Sequence, residues 1–215
     1  MENKEVVELI RQFQEKYEVQ ERYIEELRGI KHDIQAHMIV LKYYLQEEKW
    51  EKAKEYLDAI LEAQGQVVAD GIDTGNKMVD AIISYRVKRC ECPIDVQIDG
   101  GFTDTMTITE YDLCTIFSNL ISNAVEACER LTLSNGYIYC GIKSQDNDLS
   151  LHIQNPIEGE IDVHILGNGT TKEDKNMHGY GIKNVRRIVE KYKGEIKYDL
   201  SNGLISVKVH LPSIV

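Results

Sequence analysis

The sequence predicts an α+β chain in two parts: an N-terminal helical hairpin that pairs with a second copy into a dimeric four-helix bundle, then an α/β sandwich. Three observations carry this. Residues 1–70 hold 16 acidic and 10 basic residues, two of the 15 glycines (Gly29 and Gly65) and none of the three prolines, which is a helical composition. Within them, apolar residues recur at alternating steps of four and three. From residue 71 on, short alternating apolar runs lie between turn signals, with thirteen glycines and all three prolines.

Taking the elements in order, Ile10, Tyr17, Ile24, Lys31, Met38 and Leu45 occupy heptad position a, and Val6, Phe13, Gln20, Leu27, Ile34 and Leu41 occupy position d. Such a seam of about six heptads needs a partner helix, and only Gln20 and Lys31 interrupt it. A charged connector, Gln46-Glu47-Glu48-Lys49, leads to a second helix over about Trp50–Asp70 that carries Ala53, Leu57, Ile60, Leu61, Val67 and Val68. A hairpin of two helices has too little core alone, so a homodimer is expected.

Beyond it, strands are predicted at Ile94–Asp99, Thr105–Thr109, Tyr137–Lys143, Leu149–Gln154, Glu195–Leu200 and Leu204–His210, with Asn202-Gly203 as a two-residue hairpin turn. Helices are predicted at Lys77–Lys88, Glu110–Arg130 and Ile182–Tyr192. This pattern implies a mainly antiparallel sheet with helices on one face. The domains are therefore 1–70 and 71–215.

Composition limits the function. With 25 basic and 36 acidic residues the net charge is −11, which argues against coating nucleic acid or an anionic membrane. No apolar run approaches the roughly 18–20 residues that span a bilayer, so this stretch is expected to be soluble. Five cysteines, an odd number without disulfide spacing, are expected to be reduced thiols in a cytoplasm, and Cys90-Glu91-Cys92 lacks the companion ligands of a zinc site.

The helix over Glu110–Arg130 opens on Thr109-Glu110-Tyr111-Asp112, an N-terminal box, and buries Leu113, Ile116, Phe117, Leu120 and Ala124. Asn119, Asn123 and Glu126 fall at i, i+4 and i+7, within about 40° of one line on its surface. A solvated polar face accounts for them, and so does a metal-phosphate site in which an amide oxygen ligates magnesium. Downstream, the polar loop Gly167–Gly181 ends where a helix is predicted to start. Gly179 and Gly181 there would let the backbone approach a ligand, and the helix N-terminus would face an anion such as polyphosphate.

Together these segments resemble the ATP-binding domain of sensor histidine kinases, the Bergerat-fold GHKL family shared with gyrase, a heat-shock chaperone class and MutL, over about residues 74–215. Asn119-Leu120-Ile121-Ser122-Asn123-Ala124 resembles the family's N box and His178-Gly179-Tyr180-Gly181-Ile182-Lys183-Asn184-Val185 its final G box. The resemblance implies ATP with Mg²⁺ as ligands: Asn123 on the metal, Asn119 beside the phosphates, Gly179 and Gly181 at the lid. Thr170-Thr171-Lys172 resembles the lid stretch of several kinase subfamilies, which implies a phosphate contact for Lys172. The family's Asp-x-Gly-x-Gly box is not intact. Asn155, in Leu151-His152-Ile153-Gln154-Asn155-Pro156, stands in for the adenine-binding aspartate, as in AgrC/ComD-type peptide-sensing kinases, or serves as a turn residue before proline.

The ATPase branches place a glutamate one turn before the metal-binding asparagine to activate water. Asn119 holds that place here and is no general base, so another nucleophile is expected. Arg28-Gly29-Ile30-Lys31-His32-Asp33-Ile34 supplies one: His32 and Asp33 fall at heptad positions b and c, off the seam. The His-Asp pair resembles the phosphoacceptor box of the same subfamily. His37, about 140° away around the helix, ranks below it. The resulting expectation is a protein-histidine kinase that autophosphorylates His32, with Asp33 as acid/base partner, and relays phosphate to an aspartate of a response-regulator receiver domain. The alternatives are a phosphotransfer or scaffold protein with a degenerate nucleotide domain, and a GHKL-type ATPase. Because spans common in the subfamily are absent, a membrane sensor domain is expected ahead of this cytoplasmic segment.

Overall fold

The computed structural model describes residues 2–62, 71–103, 108–132, 136–158 and 179–213. The chain divides into two units, Met1–Gln66 and Val67–Val215.

In the first unit, α1 runs over Glu2–Gln46 and α2 over Trp50–Glu62. α1 stops in the charged connector. Glu48 takes a left-handed backbone (φ 53°), its N–H bonds the Leu45 carbonyl at 3.2 Å, and the Lys49 N–H bonds the Tyr44 carbonyl at 2.9 Å. That pair of bonds is the Schellman closure, built here without the usual glycine. α1 meets α2 through His37, whose Nδ1 lies 2.8 Å from the Tyr56 hydroxyl, and through the Tyr44 and Tyr56 rings, 5.9 Å between centroids. The seam residues Ile24, Leu27, Ile34, Met38 and Leu45 lie elsewhere on α1 and stay 46–54% exposed in the protomer. Residues 63–70 of the predicted second helix lie outside the described residues.

In the second unit, α3 (Lys77–Lys88), β1 (Ile94–Gly101), α4 (Glu110–Glu129), β2 (Gly136–Gln145), β3 (Asp148–Pro156), α5 (Gly179–Lys191), β4 (Glu195–Ser201) and β5 (Leu204–Leu211) follow in order. The sheet order is β1-β2-β3-β5-β4. β1 pairs parallel with β2, and the other three pairings are antiparallel. The parallel pair needs a crossover, which α4 provides. The β2–β3 and β4–β5 connections are both two-residue turns with left-handed backbones, at Asp146-Asn147 (φ 52° and 65°) and Asn202-Gly203 (φ 53° and 73°). Primed turns of this kind match the twist of the flanking strands.

Alternation along β2 and β3 puts Ile138, Cys140, Ile142, Leu149, Leu151 and Ile153 on one face. α4 covers them with Ile116, Phe117, Leu120, Ile121 and Ala124, while Val185, Ile188 and Val189 of α5 and Val79 and Ile83 of α3 complete the core. Each fully buried large side chain here contributes roughly 1.5–3 kcal/mol. Among the described residues no helix is long and apolar enough to cross a membrane.

Two expectations are corrected. Ile108 and Thr109, the described end of the predicted strand Thr105–Thr109, belong to no strand, and residues 105–107 lie outside the described residues. Thr109 is instead the N-cap of α4, its Oγ1 accepting from the Asp112 N–H at 3.2 Å, because a capping oxygen satisfies a helix-end donor that a strand would leave unpaired. The helix predicted at Ile182–Tyr192 starts earlier, at Gly179, so both glycines of the G box lie in its first turn.

The start of α4 is tied to the end of α5 at Asp112. This 5%-exposed carboxylate accepts from Lys191 Nζ at 2.6 Å, from the Tyr192 hydroxyl at 2.8 Å and from Thr109 Oγ1 at 2.8 Å. The Thr109 N–H, which a full capping box would give to the carboxylate, goes to the Tyr192 hydroxyl at 3.1 Å. Burial alone would raise the Asp112 carboxyl, but these hydrogen bonds and the Lys191 charge outweigh it and hold the pKa below its ordinary value. A lowered folded-state pKa adds stability above the unfolded value of about 4, and that stability is lost as pH falls through the folded value. Asp112→Asn is expected to cost about 2 kcal/mol at neutral pH and much less once the wild-type carboxyl is protonated. Urea unfolding of both proteins at neutral and acidic pH checks this, and an equal cost at both contradicts it.

Candidate functional site

The polar stripe of α4 behaves as three distinct environments. Asn119 is half-buried, Asn123 is exposed and Glu126 is half-buried. The Asn119 Nδ2 donates to the Thr115 carbonyl one turn back, at 2.6 Å, which fixes the amide and leaves Oδ1 turned toward α5. There it meets Gly181, where a Cβ would stand 2.7 Å from Asn119 Oδ1. α4 and α5 are thus in direct contact at a point where an added side chain would have to displace the Asn119 amide. Glycine is a poorer helix former than alanine, so this close approach is a physical reason for it to be there.

Gly179 opens α5, whose first N–H groups have no acceptor within the helix and carry its positive dipole end. Asn155 sits near the end of β3, 4% exposed, on the sheet face that carries Leu151 and Ile153 and that α4 covers. Its Nδ2 donates to the Pro156 carbonyl at 2.9 Å. Lys172, with Thr170, Thr171 and His178, lies outside the described residues. The donor set on α4 fits a magnesium-triphosphate: the exposed Asn123 carries a carboxamide oxygen, a hard, neutral ligand.

In the first unit, His32 and Asp33 are 83% and 76% exposed, with Nδ1 and Oδ1 3.5 Å apart. His37 differs from His32 in being half-buried and bonded to Tyr56.

Sequence reasoning missed several polar residues. Asp112 was expected only as part of a cap, and its partners lie some eighty positions away in the chain. On the sheet face away from the helices, Tyr139 donates to Asp99 at 2.7 Å, and His152 Nε2 lies 2.6 Å from Ser206 Oγ. The Tyr139 and His152 rings meet edge to face at 5.3 Å. Burial, then the nearby Lys208 charge, lowers the His152 pKa. An open cavity of about 600 Å³ lies over this face, away from Asn119 and Gly181. The period-2 alternation of β2 and β3 signals which residues share that face, but not which of them bond.

Residues 108–212 match the family model described as the GHKL domain, a span that includes Asn119, Asn123, Asn155 and Gly181. A probable C4-dicarboxylate sensor kinase of Halalkalibacterium halodurans is 24% identical over 230 residues, covering 97% of this chain and 42% of that protein. The chain thus spans well under half the length of this curated relative. Among solved structures, the mycobacterial sensor histidine kinase MprB is similar, with a TM-score of 0.51 and 15% identity over 63% of this chain and 93% of that one. At that identity the likeness is one of fold: the five-stranded mixed sheet under its helices is built like that kinase.

Proposed function

We propose that this chain is the core of a sensor histidine kinase in a two-component system, in which Val67–Val215 binds Mg·ATP and Met1–Gln66 dimerises and carries the phosphoacceptor His32. The observation that carries the reading is the seating of Gly181 on Asn119, which unites two nucleotide-binding motifs distant in sequence. The match to the GHKL domain and the similarity to a sensor kinase along nearly the whole chain support it.

When bound, ATP with Mg²⁺ supplies the γ-phosphoryl group and the metal charge that offsets it. Asn123 would offer the metal a carboxamide oxygen, and Asn119 and Lys172 would bond phosphate oxygens. Gly179 and Gly181 would let the α5 backbone lie close to the phosphates, whose charge the helix N-terminus would favour. Asn155 would accept from the adenine amino group without a charge, a weaker bond than an aspartate would make. Asp33 faces His32 Nδ1, so Nε2 is the attacking nitrogen, and Asp33 holds the ring and takes its proton. Asn119 gives water no base, so the phosphoryl group stays on protein until an aspartate of a response-regulator receiver domain accepts it.

The uncovered seam of Ile24, Leu27, Ile34, Met38 and Leu45 supports pairing of α1 with a second copy into a four-helix bundle. The segment works on the cytoplasmic side of a membrane-bound sensor, with His-Asp chemistry of the AgrC/ComD type. Calorimetric titration tests the nucleotide half: wild type is expected to bind Mg·ATP saturably, and Asn123→Ala to raise Kd by about tenfold or more, about 1.4 kcal/mol. Unchanged binding by Asn123→Ala would overturn the assignment.

A further inference from the structure

The five thiols are of different kinds. Cys128 and Cys140 are 1% and 0% exposed, and burial pushes them up to about 11 and about 12. They are inert core residues. Cys90 and Cys92 are half-buried where α3 gives way to β1, and their sulfurs stand 2.7 Å apart. A disulfide bond is about 2.05 Å long, so closure needs only a small approach.

The backbone holds both residues in that arrangement. The Cys90 N–H bonds the Val87 carbonyl at 3.2 Å just past the C-cap of α3. On the other side Pro93 follows Cys92 and restricts its conformation, and the Pro93 carbonyl accepts from the Gly136 N–H at 3.2 Å. Both side chains lean on the core from its edge.

We propose that Cys90 and Cys92 are a reversible dithiol-disulfide site that reacts with low-molecular-weight disulfides. The raised Cys90 thiol sets the order of steps. Burial first, and then the hydrogen bond with Cys92, pushes the Cys90 thiol up to about 12, which leaves Cys92 as the sulfur that attacks first. Cys92 gives its proton to water and attacks the external disulfide RS–SR, forming a mixed disulfide and releasing RS⁻, which takes a proton back from water. Cys90 then attacks the Cys92 sulfur, its proton passing to the departing RS⁻. The net change is two cysteine thiols plus RS–SR giving one protein disulfide plus two RSH: the protein is oxidised by two electrons and the reagent is reduced. With a single residue between the cysteines the ring is tight, and strained disulfides are the readily reduced ones, so a thiol reductant reverses the reaction.

The test is oxidation of the full chain by oxidised glutathione, followed by acid quench, alkylation and mass mapping. Alkylatable cysteines are expected to fall from five to three. Cys90 and Cys92 would be the pair lost, without retained glutathione, and dithiothreitol would restore all five. Cys90→Ser is expected to trap glutathione on Cys92, because the second step has lost its sulfur. Five alkylatable thiols after oxidation, a stable glutathione adduct on wild type, or a bridge through Cys114, Cys128 or Cys140 would each overturn the proposal. None of these readouts depends on nucleotide binding or on His32.

Discussion

Replacing His32 with glutamine is expected to abolish acid-labile phosphorylation of this protein, lowering label from Mg·ATP by at least about 10³-fold while nucleotide binding stays as in wild type. Glutamine keeps the size and polarity of the exposed site but has no nitrogen lone pair that can attack phosphorus, so the loss is chemical. Exposure of 83% means that the substitution removes little packing. Asp33→Asn keeps the shape and removes the charge beside Nδ1, and is expected to slow labelling by about 10²-fold. His37→Gln is the informative control. It breaks the 2.8 Å contact with Tyr56 and so costs stability in the first unit, yet it leaves His32 in place and should leave label on His32. Gel autoradiography with acid and alkali washes decides the matter, and undiminished labelling of His32→Gln would exclude His32 as the phosphoacceptor. Steady phosphate release without retained label would instead favour the ATPase alternative.

Gly181→Ala is expected to damage the second unit twice. At an unobstructed helical position the change stabilises by up to about 1 kcal/mol, since alanine is the better helix former. Here the added methyl stands 2.7 Å from Asn119 Oδ1, and the amide cannot swing away without giving up its bond to the Thr115 carbonyl. The clash should reverse the sign, with a net cost of about 1–2 kcal/mol. Because Asn119 is the group displaced, Mg·ATP affinity should fall at least about tenfold as well. Asn119→Ala removes the obstruction. The double variant should therefore be more stable than the two single costs predict, by about 0.5–2 kcal/mol of coupling. Additive costs in the double-mutant cycle, or an alanine variant as stable as wild type, would show that the contact does not constrain position 181.

Most of the secondary structure was legible, because each element was announced by residues within a few positions of one another. The Asn202-Gly203 turn needs left-handed backbones that these two residues tolerate, and it forms. The Asp146-Asn147 turn obeys the same rule and could have been read the same way. The buried stripe of α4 follows from spacing alone, and its members are among the most deeply buried side chains. The strand expected at Thr105–Thr109 shows the limit: Thr109 is as good an N-cap as it is a strand residue, and the helix it starts decided between them.

What the sequence by itself determined is local: where helices and strands lie, which face of each is apolar, and which side chains could meet an anion or attack phosphorus. Only the tertiary structure decided that β1 lies parallel to β2, that the seam of α1 is not the face α2 covers, and that Gly181 rests on Asn119. It alone gathered Thr109, Asp112, Lys191 and Tyr192 into one hydrogen-bonded cluster and brought the Cys90 and Cys92 sulfurs together. The reason is physical. Local structure follows from hydrogen bonding and periodicity within a turn or two, whereas these contacts gain their energy only when the sheet and its covering helices pack, and packing depends on the shape of surfaces distant in sequence.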